Sequence, residues 1–540
     1  MKRVLLSVMM AITAVEMFAV PANPRPFVYT QPDGSRITLS LMGDEYAHSY
    51  VDENGYAVTI NEDGFITRLT EKAEPLLRER RKTTLNERSR LMGNLKKTIS
   101  RTPGKDSHGL IILVNFDDLK FNNTKEEIFN LMNQQGYNKN GATGSARDYF
   151  VAQSMAQFEP TFDVVGPVDL EMPYRYYGAN NAKGSDKNAS VMIFSAVQKA
   201  AEQGLINLDD YDADKDGIVD MVYVIYAGLG EADGGDANTV WPHMWNLQAS
   251  AQFANQQIQG KRVGLYACSA EYRTDQTTID GKSFSGIGTF CHEYGHCLGL
   301  PDIYDVTYSG GYGMASWDIM SSGSYLNNGN TPPSYSAFER YSVGWLNYDD
   351  ATVERDYTLS PLAESNHAVR LSSPNNPDEY FILENRQQTG WDAYLPARGL
   401  MITHIDYDEQ VWDQNAVNAD PKHQHVMMMA ADNSWSKSTI SGDLFPGLLN
   451  NTSFTDSSKP SSLLWDGTPL GKPVTGIRMD GEDISFHVGI DASGIQSSYF
   501  QYNPQRQYIK KFSIDGRLTG KHTKGIVIEN GQKYLQNTSK

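Results

Sequence analysis

Cysteine is almost missing from the sequence, with 3 in 540 residues: Cys268, Cys291 and Cys297. So few exclude a disulfide-stapled scaffold. Because none precedes Cys268, no thiolate from the front of the chain can hold a metal. Cys291 and Cys297 are six positions apart, a rise of about 9 Å on a helix, too far for them to bridge each other. They read as small buried apolar residues, and a pairing of one of them with Cys268 stays open. Positive charge is also in short supply. Lys and Arg number 47 against 65 Asp and Glu, a formal net charge of -18, which argues against nucleic acid as a partner because phosphate binding needs a basic face. Long apolar runs are lacking too, and no stretch approaches the roughly 20 residues of a transmembrane helix.

The beginning of the chain carries a short apolar run instead. Met1-Lys2-Arg3 is followed by apolar residues to Val15, with Val20 and Ala22 beyond. This pattern predicts a secretory signal peptide over residues 1–22, cut near Ala22–Asn23, and hence a protein that is secreted or held at the cell surface without a transmembrane segment. Residues 23–105 read as a pro-segment. Its first half alternates in period two between Asn-Gly and Asp-Gly pairs, as a small antiparallel meander does. Its second half is rich in Arg and Lys and ends in Arg101-Thr102-Pro103-Gly104-Lys105, a linker suited to cleavage.

A new core begins with the apolar run Gly109 to Phe116, suited to a buried central strand. Helical patterns at 124–135, 145–158 and 189–203 alternate with strand patterns at 162–168 and 221–227, and a last helix is expected over 334–343. This order predicts a mixed α/β (α+β) domain over 106–348. Short strands separated by Gly, Pro and Asn then predict an all-β, sandwich-like domain over 349–490. The basic tail, 491–540, offers two short strands around a turn. It resembles the carboxy-terminal sorting segments of exported bacterial proteins, which implies an export machinery as a partner.

The chemistry concentrates in His292-Glu293-Tyr294-Gly295-His296-Cys297-Leu298-Gly299-Leu300-Pro301-Asp302. Two histidines four positions apart on a helix point the same way and can share one zinc ion. Glu293, their neighbour, projects to the side, where a carboxylate can take a proton from water without occupying the metal. Gly299 allows a left-handed helix end and Pro301 prevents the helix from resuming. That brings Asp302 back as third ligand, with water as the fourth and Asp305 as the alternative third. Downstream, Met320 can form an apolar floor beneath the ligands, and Tyr325 can donate to an oxyanion. A second cation is expected at Asp212, Asp214, Asp216 and Asp220, where hard oxygens at positions 1, 3, 5 and 9 surround Gly217 as in a calcium loop. Tyr223 stands where an EF-hand has its closing glutamate, so the expected calcium is structural and needs donors from elsewhere. His404, His423 and His425 lack paired spacing and read as ordinary hydrogen-bonded residues.

With these motifs in hand the chain resembles the immune inhibitor A-like family of secreted zinc metallopeptidases, within the metzincin-like group. The resemblance spans roughly Gly109 to Ile490. It rests on His292-Glu293-x-x-His296-x-x-Gly299-x-Pro301-Asp302, on Trp317-Asp318-Ile319-Met320 as the Met-turn, on the Asp212 to Asp220 loop and on Glu384-Asn385-Arg386. The chain departs from most metzincins in having Asp302 where they have a third histidine. The resemblance implies a zincin-like catalytic domain and hydrolysis of peptide bonds in proteins, with protein or peptide substrates. The competing reading is a secreted binding or adhesive protein with a vestigial peptidase core. Leu41-Met42-Gly43-Asp44 resembles the Phe-x-Gly-Asp motif by which astacin pro-segments place an aspartate on zinc, which makes Asp44 the expected latency residue; a plain turn is the alternative.

Overall fold

The computed structural model describes residues 20–45, 47–61, 63–79, 107–181, 185–275, 277–278, 280–373 and 376–490, with the backbone of four short strands beyond residue 510. The expected signal peptide up to residue 19 and most of the basic linker lie outside these residues. Met1–Ile490 is one compact unit and Asp491–Lys540 another.

The front of the chain is the expected meander. Strands β1 (Phe27–Thr30), β2 (Arg36–Asp44), β3 (Ala47–Asp52), β4 (Tyr56–Ile60) and β5 (Ile66–Lys72) pair antiparallel, each with its sequence neighbour. Alternation sets which face goes in: along β2, Leu39 and Leu41 are buried while Thr38 and Ser40, beside and between them, are less so. Residues 73–79 are helical.

The middle of the chain builds a sheet from β6 (His108–Asn115), β7 (Thr161–Asp169), β8 (Ile218–Leu229), β9 (His243–Asn246), β10 (Arg262–Thr274) and β11 (Lys282–Phe284) in the order β11-β10-β8-β6-β7, with β9 also on β10. The pairs β6–β7, β6–β8 and β8–β10 are parallel, and β9 and β11 run antiparallel to β10. Six consecutive residues of β6 are buried, because a parallel strand covered on both faces is apolar throughout. Helices Lys125–Asn133 and Ala146–Gln153 start in capping boxes, Thr124 with Glu127 and Ser145 with Asp148, which satisfy amide groups that the first turn leaves open. The second ends earlier than its pattern predicts, as Met155 and Ala156 take positive φ. The helix expected over 334–343 is Ala337–Ser342, delayed by a capping box between Ser336 and Glu339.

Beyond it, β12 (Asp349–Asp350), β13 (Arg355–Leu359), β14 (Val369–Ser373), β15 (Asn376–Arg386), β16 (Gly399–Asp406), β17 (Val426–Met428), β18 (Val474–Asp480) and β19 (Asp483–Val488) form two sheets, β12-β14-β15-β16-β17 and β13-β19-β18. Alternate residues divide the larger sheet between two cores. Phe381, Leu383, Leu400 and Ile402 face the smaller sheet and pack with Tyr357, Ile484 and Phe486. Tyr380, Ile382, Met401 and Ile405 join the core of the middle sheet instead. The period of two along a strand produces this split, and it makes the β region one wall of the cleft-bearing part.

Candidate active site

The helix Gly288–Cys297 is buried along nearly its whole length. Its first residue has to be glycine for a local reason: a Cβ on Gly288 would stand on the Ser324 carbonyl oxygen. Gly295 likewise leaves room for Met320, whose Sδ would meet a Cβ there at 2.7 Å. Gly299 takes φ 98°, the left-handed conformation that glycine adopts without strain, and the chain turns back so that residues 300–302 run beside the helix.

Three side chains converge as a result. His292 Nε2 and His296 Nε2 are 3.1 Å apart, and each lies 3.3 Å from Asp302 Oδ1. Ligands about 2.0–2.1 Å from a tetrahedral zinc stand roughly 3.3 Å from one another, so this triangle has the dimensions of a zinc cradle. The tautomer fits as well. His292 Nδ1 donates to the Ile319 carbonyl at 2.7 Å and His296 Nδ1 to the Leu300 carbonyl at 2.8 Å, which turns both Nε2 lone pairs inward. All three residues are buried. Burial holds the His292 imidazole below its usual pKa. Burial works against ionisation of Asp302, but the adjacent imidazoles prevail and hold it below the usual carboxylate range.

Asp305, the alternative ligand, is engaged elsewhere. Its Oδ1 accepts from Thr307 N at 2.9 Å, and its Oδ2 accepts from Ser309 N at 2.7 Å and Gly311 N at 2.9 Å; it organises the loop that follows. Asp302 is held by a residue that the sequence did not disclose. Asn415, fully buried at positive φ, donates Nδ2 to Asp302 Oδ2 at 2.5 Å and accepts Asp302 N on Oδ1 at 2.7 Å. It lies 113 residues away between β16 and β17, and no spacing rule links the two positions.

Glu293 is fully buried, and burial holds its carboxyl well above the usual range. Its Oε1 accepts a hydrogen bond from the backbone of Val20 at 2.9 Å. The segment from Val20 to Asn23 continues through the cleft: Trp241 Nε1 donates to Val20 O at 3.1 Å, Tyr325 Oη to Pro21 O at 2.6 Å, Ala22 N to Gly43 O at 2.9 Å and Asn23 N to Ala232 O at 2.9 Å. Thus Glu293 and Tyr325 both meet the backbone of a peptide. The expected signal cut near Ala22–Asn23 falls inside this packed segment. Asp44, the expected latency residue, sits at the end of β2 with Oδ1 accepting from Ala47 N at 3.2 Å, and the cluster of His292, His296 and Asp302 does not include it. Its neighbour Gly43 holds the cleft segment through the bond to Ala22.

At the expected calcium loop, carboxylate oxygens of Asp212, Asp214 and Asp216 lie within 4.8 Å of one another. Asp212 accepts Asp216 N at 3.1 Å and Gly217 N at 3.0 Å, which closes the turn. Asp220 is not in that group and accepts Ala213 N at 2.9 Å. Lys261 enters from the next connection with Nζ 2.8 Å from both Asp209 and Asp212. All three cysteines are free thiols, so the pairing left open for Cys268 is not formed.

The sequence around this site is similar to that of known proteins. Residues 98–347 match the family model described as immune inhibitor A peptidase M6, catalytic domain. The chain is 28% identical over 290 residues to the pre-pro-metalloprotease PrtV of Vibrio cholerae, covering 45% of this chain and 31% of that protein. It is 29% identical over 366 residues to immune inhibitor A of Bacillus thuringiensis subsp. alesti, covering 57% of this chain and 52% of that protein. The chain therefore spans about a third to a half of the length of these relatives. The match at 98–347 thus places that region of the chain with the catalytic domains of immune inhibitor A (M6) metallopeptidases.

Proposed function

We propose that the protein is a secreted zinc-dependent endopeptidase made as a latent precursor. The observation that carries this reading is the triangle of His292 Nε2, His296 Nε2 and Asp302 Oδ1, with edges of 3.1, 3.3 and 3.3 Å, beside a buried glutamate that already meets a peptide N–H. His292, His296 and Asp302 would hold zinc. The metal, when bound, supplies Lewis acidity toward the scissile carbonyl and the attacking water. Glu293 takes the proton of that water and returns it to the leaving amine, acting first as base and then as acid. Tyr325 donates to the oxygen on which charge develops, as it donates to the Pro21 carbonyl at 2.6 Å. Met320 is read as the Met-turn residue, an apolar floor whose sulfur packs against Gly295.

Latency rests on contacts of the pro-segment that outlast removal of residues 1–22: Asn23 N donates to Ala232 O at 2.9 Å, Arg25 Nη2 to Tyr325 O at 3.4 Å, and His48 Nε2 lies 2.8 Å from Glu231 Oε1, and a substrate has to displace them. In this reading residues 1–22 direct export, 23–105 are the pro-segment, 106–348 the catalytic domain, 349–490 the β domain and 491–540 a sorting segment for an export machinery. Among the described residues no helix is long and apolar enough to cross a membrane. Activation requires a cut in the basic linker that begins near Arg78.

Glu293→Gln tests the reading: zinc content is expected to stay at the wild-type level while casein hydrolysis falls by at least about a thousandfold, in the range for loss of a general base. Wild-type hydrolysis by that variant would sink the mechanism and leave the adhesive alternative. In parallel, Asp302→Ala is expected to lose the zinc held with His292 and His296 and Asp305→Ala to keep it, and the reverse moves the third ligand to Asp305.

A further inference from the structure

All three histidines that read as ordinary hydrogen-bonded residues in the sequence have partners, beginning with the buried His404. Its Nε2 lies 3.0 Å from Glu379, and its ring stacks between Phe381 and Trp465. His423 and His425 belong to the connection between β16 and β17 and converge on Asp406, the last residue of β16. His423 Nε2 is 2.6 Å from Asp406 Oδ2. His425 Nδ1 is 3.8 Å from the same oxygen and 2.5 Å from the Asp406 carbonyl. The two imidazoles lie nearly parallel, with centroids 4.8 Å apart at 15°. One ligand atom from each of the three residues is within 4.8 Å of the other two.

We propose that Asp406, His423 and His425 form a second metal site, separate from the catalytic one, that binds a zinc-class dication through two imidazole nitrogens and a carboxylate oxygen. The donor set suits the ion: imidazole selects zinc, copper and nickel over calcium and magnesium, and one carboxylate lowers the net charge of the site. His423 is 42% exposed, so the ion has a path in and a solvent position for a fourth ligand. The carbonyl bond at His425 Nδ1 orients that ring as second-sphere partners orient metal-ligating histidines.

The position of the site gives it a purpose. The connection it closes carries Asn415 to Asp302, Asn418 Nδ2 to the Ile303 carbonyl at 2.8 Å, and Gln424 Oε1 to Gly313 N at 2.6 Å. These are the supports of the loop that follows the HExxH helix. Asp406 sits at the start of the connection and His423 and His425 at its end, so an ion shared among them clips the loop at its base. A clip of this kind removes loop-closure entropy from the connection and steadies what it carries.

Metal content of the full chain is the test. After stripping with chelator, reloading with Zn2+ and dialysis, the wild type is expected to keep two zinc ions per chain. His423→Ala/His425→Ala is expected to keep one, and so is His292→Ala/His296→Ala. A second readout uses the tryptophans beside the site, Trp465 at 4.7 Å from His423 and Trp412 at 6.0 Å from His425. Cu2+ added to the His292→Ala/His296→Ala chain should quench their fluorescence, and adding His423→Ala, a change at a half-exposed position, should abolish the quench. A wild-type chain that holds a single zinc, all of it retained by His423→Ala/His425→Ala, together with no quench by Cu2+, overturns the proposal.

Discussion

Asn415 shows how one residue can be central to a site and invisible to spacing rules. It holds Asp302 by two hydrogen bonds, to backbone and carboxylate, and so points Oδ1 at the histidines. Removing such a support typically weakens metal binding 10- to 100-fold. Asn415→Ala is therefore expected to lower zinc affinity at the His292 site by about that factor, read by chelator competition; unchanged affinity would mean that Asp302 positions itself. The histidines and Glu293 were legible because a helix repeats every 3.6 residues and the motif lies on one turn. Asn415, Trp241 and Val20 were not, because they reach the cleft through tertiary contacts that no local periodicity encodes.

At the level of elements, the meander at the front of the chain, read above as the pro-segment, docks through β3. His48 places Nε2 2.8 Å from Glu231 Oε1 and Nδ1 on the Asp44 carbonyl at 3.0 Å, and stacks on Trp241 at 4.6 Å. Asn180 Nδ2 lies 3.4 Å from the same Nε2 and 3.0 Å from Glu231 Oε1. Burial opposes protonation of His48, but the Glu231 carboxylate, with a smaller contribution from Asp44, prevails and raises its pKa above 6.5. The sign follows directly: a raised folded pKa means that the ion pair is fully present below about pH 6.5 and is lost as pH rises through the folded value. Activation of the purified precursor is thus expected to speed up severalfold between pH 6 and pH 9, and His48→Ala to be fast at both. If the two precursors share one pH profile, the docking does not depend on this pair. The loop proposed to bind calcium, Asp212 to Asp220, is the second element with a linked equilibrium. Millimolar calcium is expected to raise the melting temperature by mass action, and Lys261→Met, which removes the ammonium 2.8 Å from Asp212, to enlarge that shift. Equal melting curves with and without calcium count against the site.

Across the whole molecule, the β region is joined to the helix Ala337–Ser342 and the segment before it by a buried charge network rather than by apolar packing alone. Arg386, at the end of β15, donates Nε and Nη2 to Asp392 at 2.9 and 2.7 Å, Nη1 to Glu384 at 3.1 Å and Nη2 to the Ser334 carbonyl at 3.1 Å. Glu384 in turn accepts Ala337 N at 2.8 Å, at the start of the helix Ala337–Ser342. Replacing one partner of such a network leaves buried charge uncompensated, at a cost of about 3–5 kcal/mol. Arg386→Met should lower the unfolding free energy from denaturant titration accordingly, and a value within about 0.5 kcal/mol of wild type would show that the network carries little.

The sequence by itself determined the elements and the reacting groups, because both depend on short-range rules. Period-two alternation with Gly turns specifies the meander, an unbroken apolar run specifies β6, and four-residue spacing puts His292 and His296 on one face of a helix that Gly299 and Pro301 end. Tertiary structure alone decided what surrounds those groups. It decided that Asp302 rather than Asp305 faces the histidines, because Asn415, 113 residues on, holds Asp302 by backbone and carboxylate. It also decided that residues 20–23 lie against Glu293 and that His423 and His425 meet at Asp406. Each of these depends on chain segments tens to hundreds of residues apart being packed together by burial of apolar surface, which has no direction and leaves no periodic mark on the sequence.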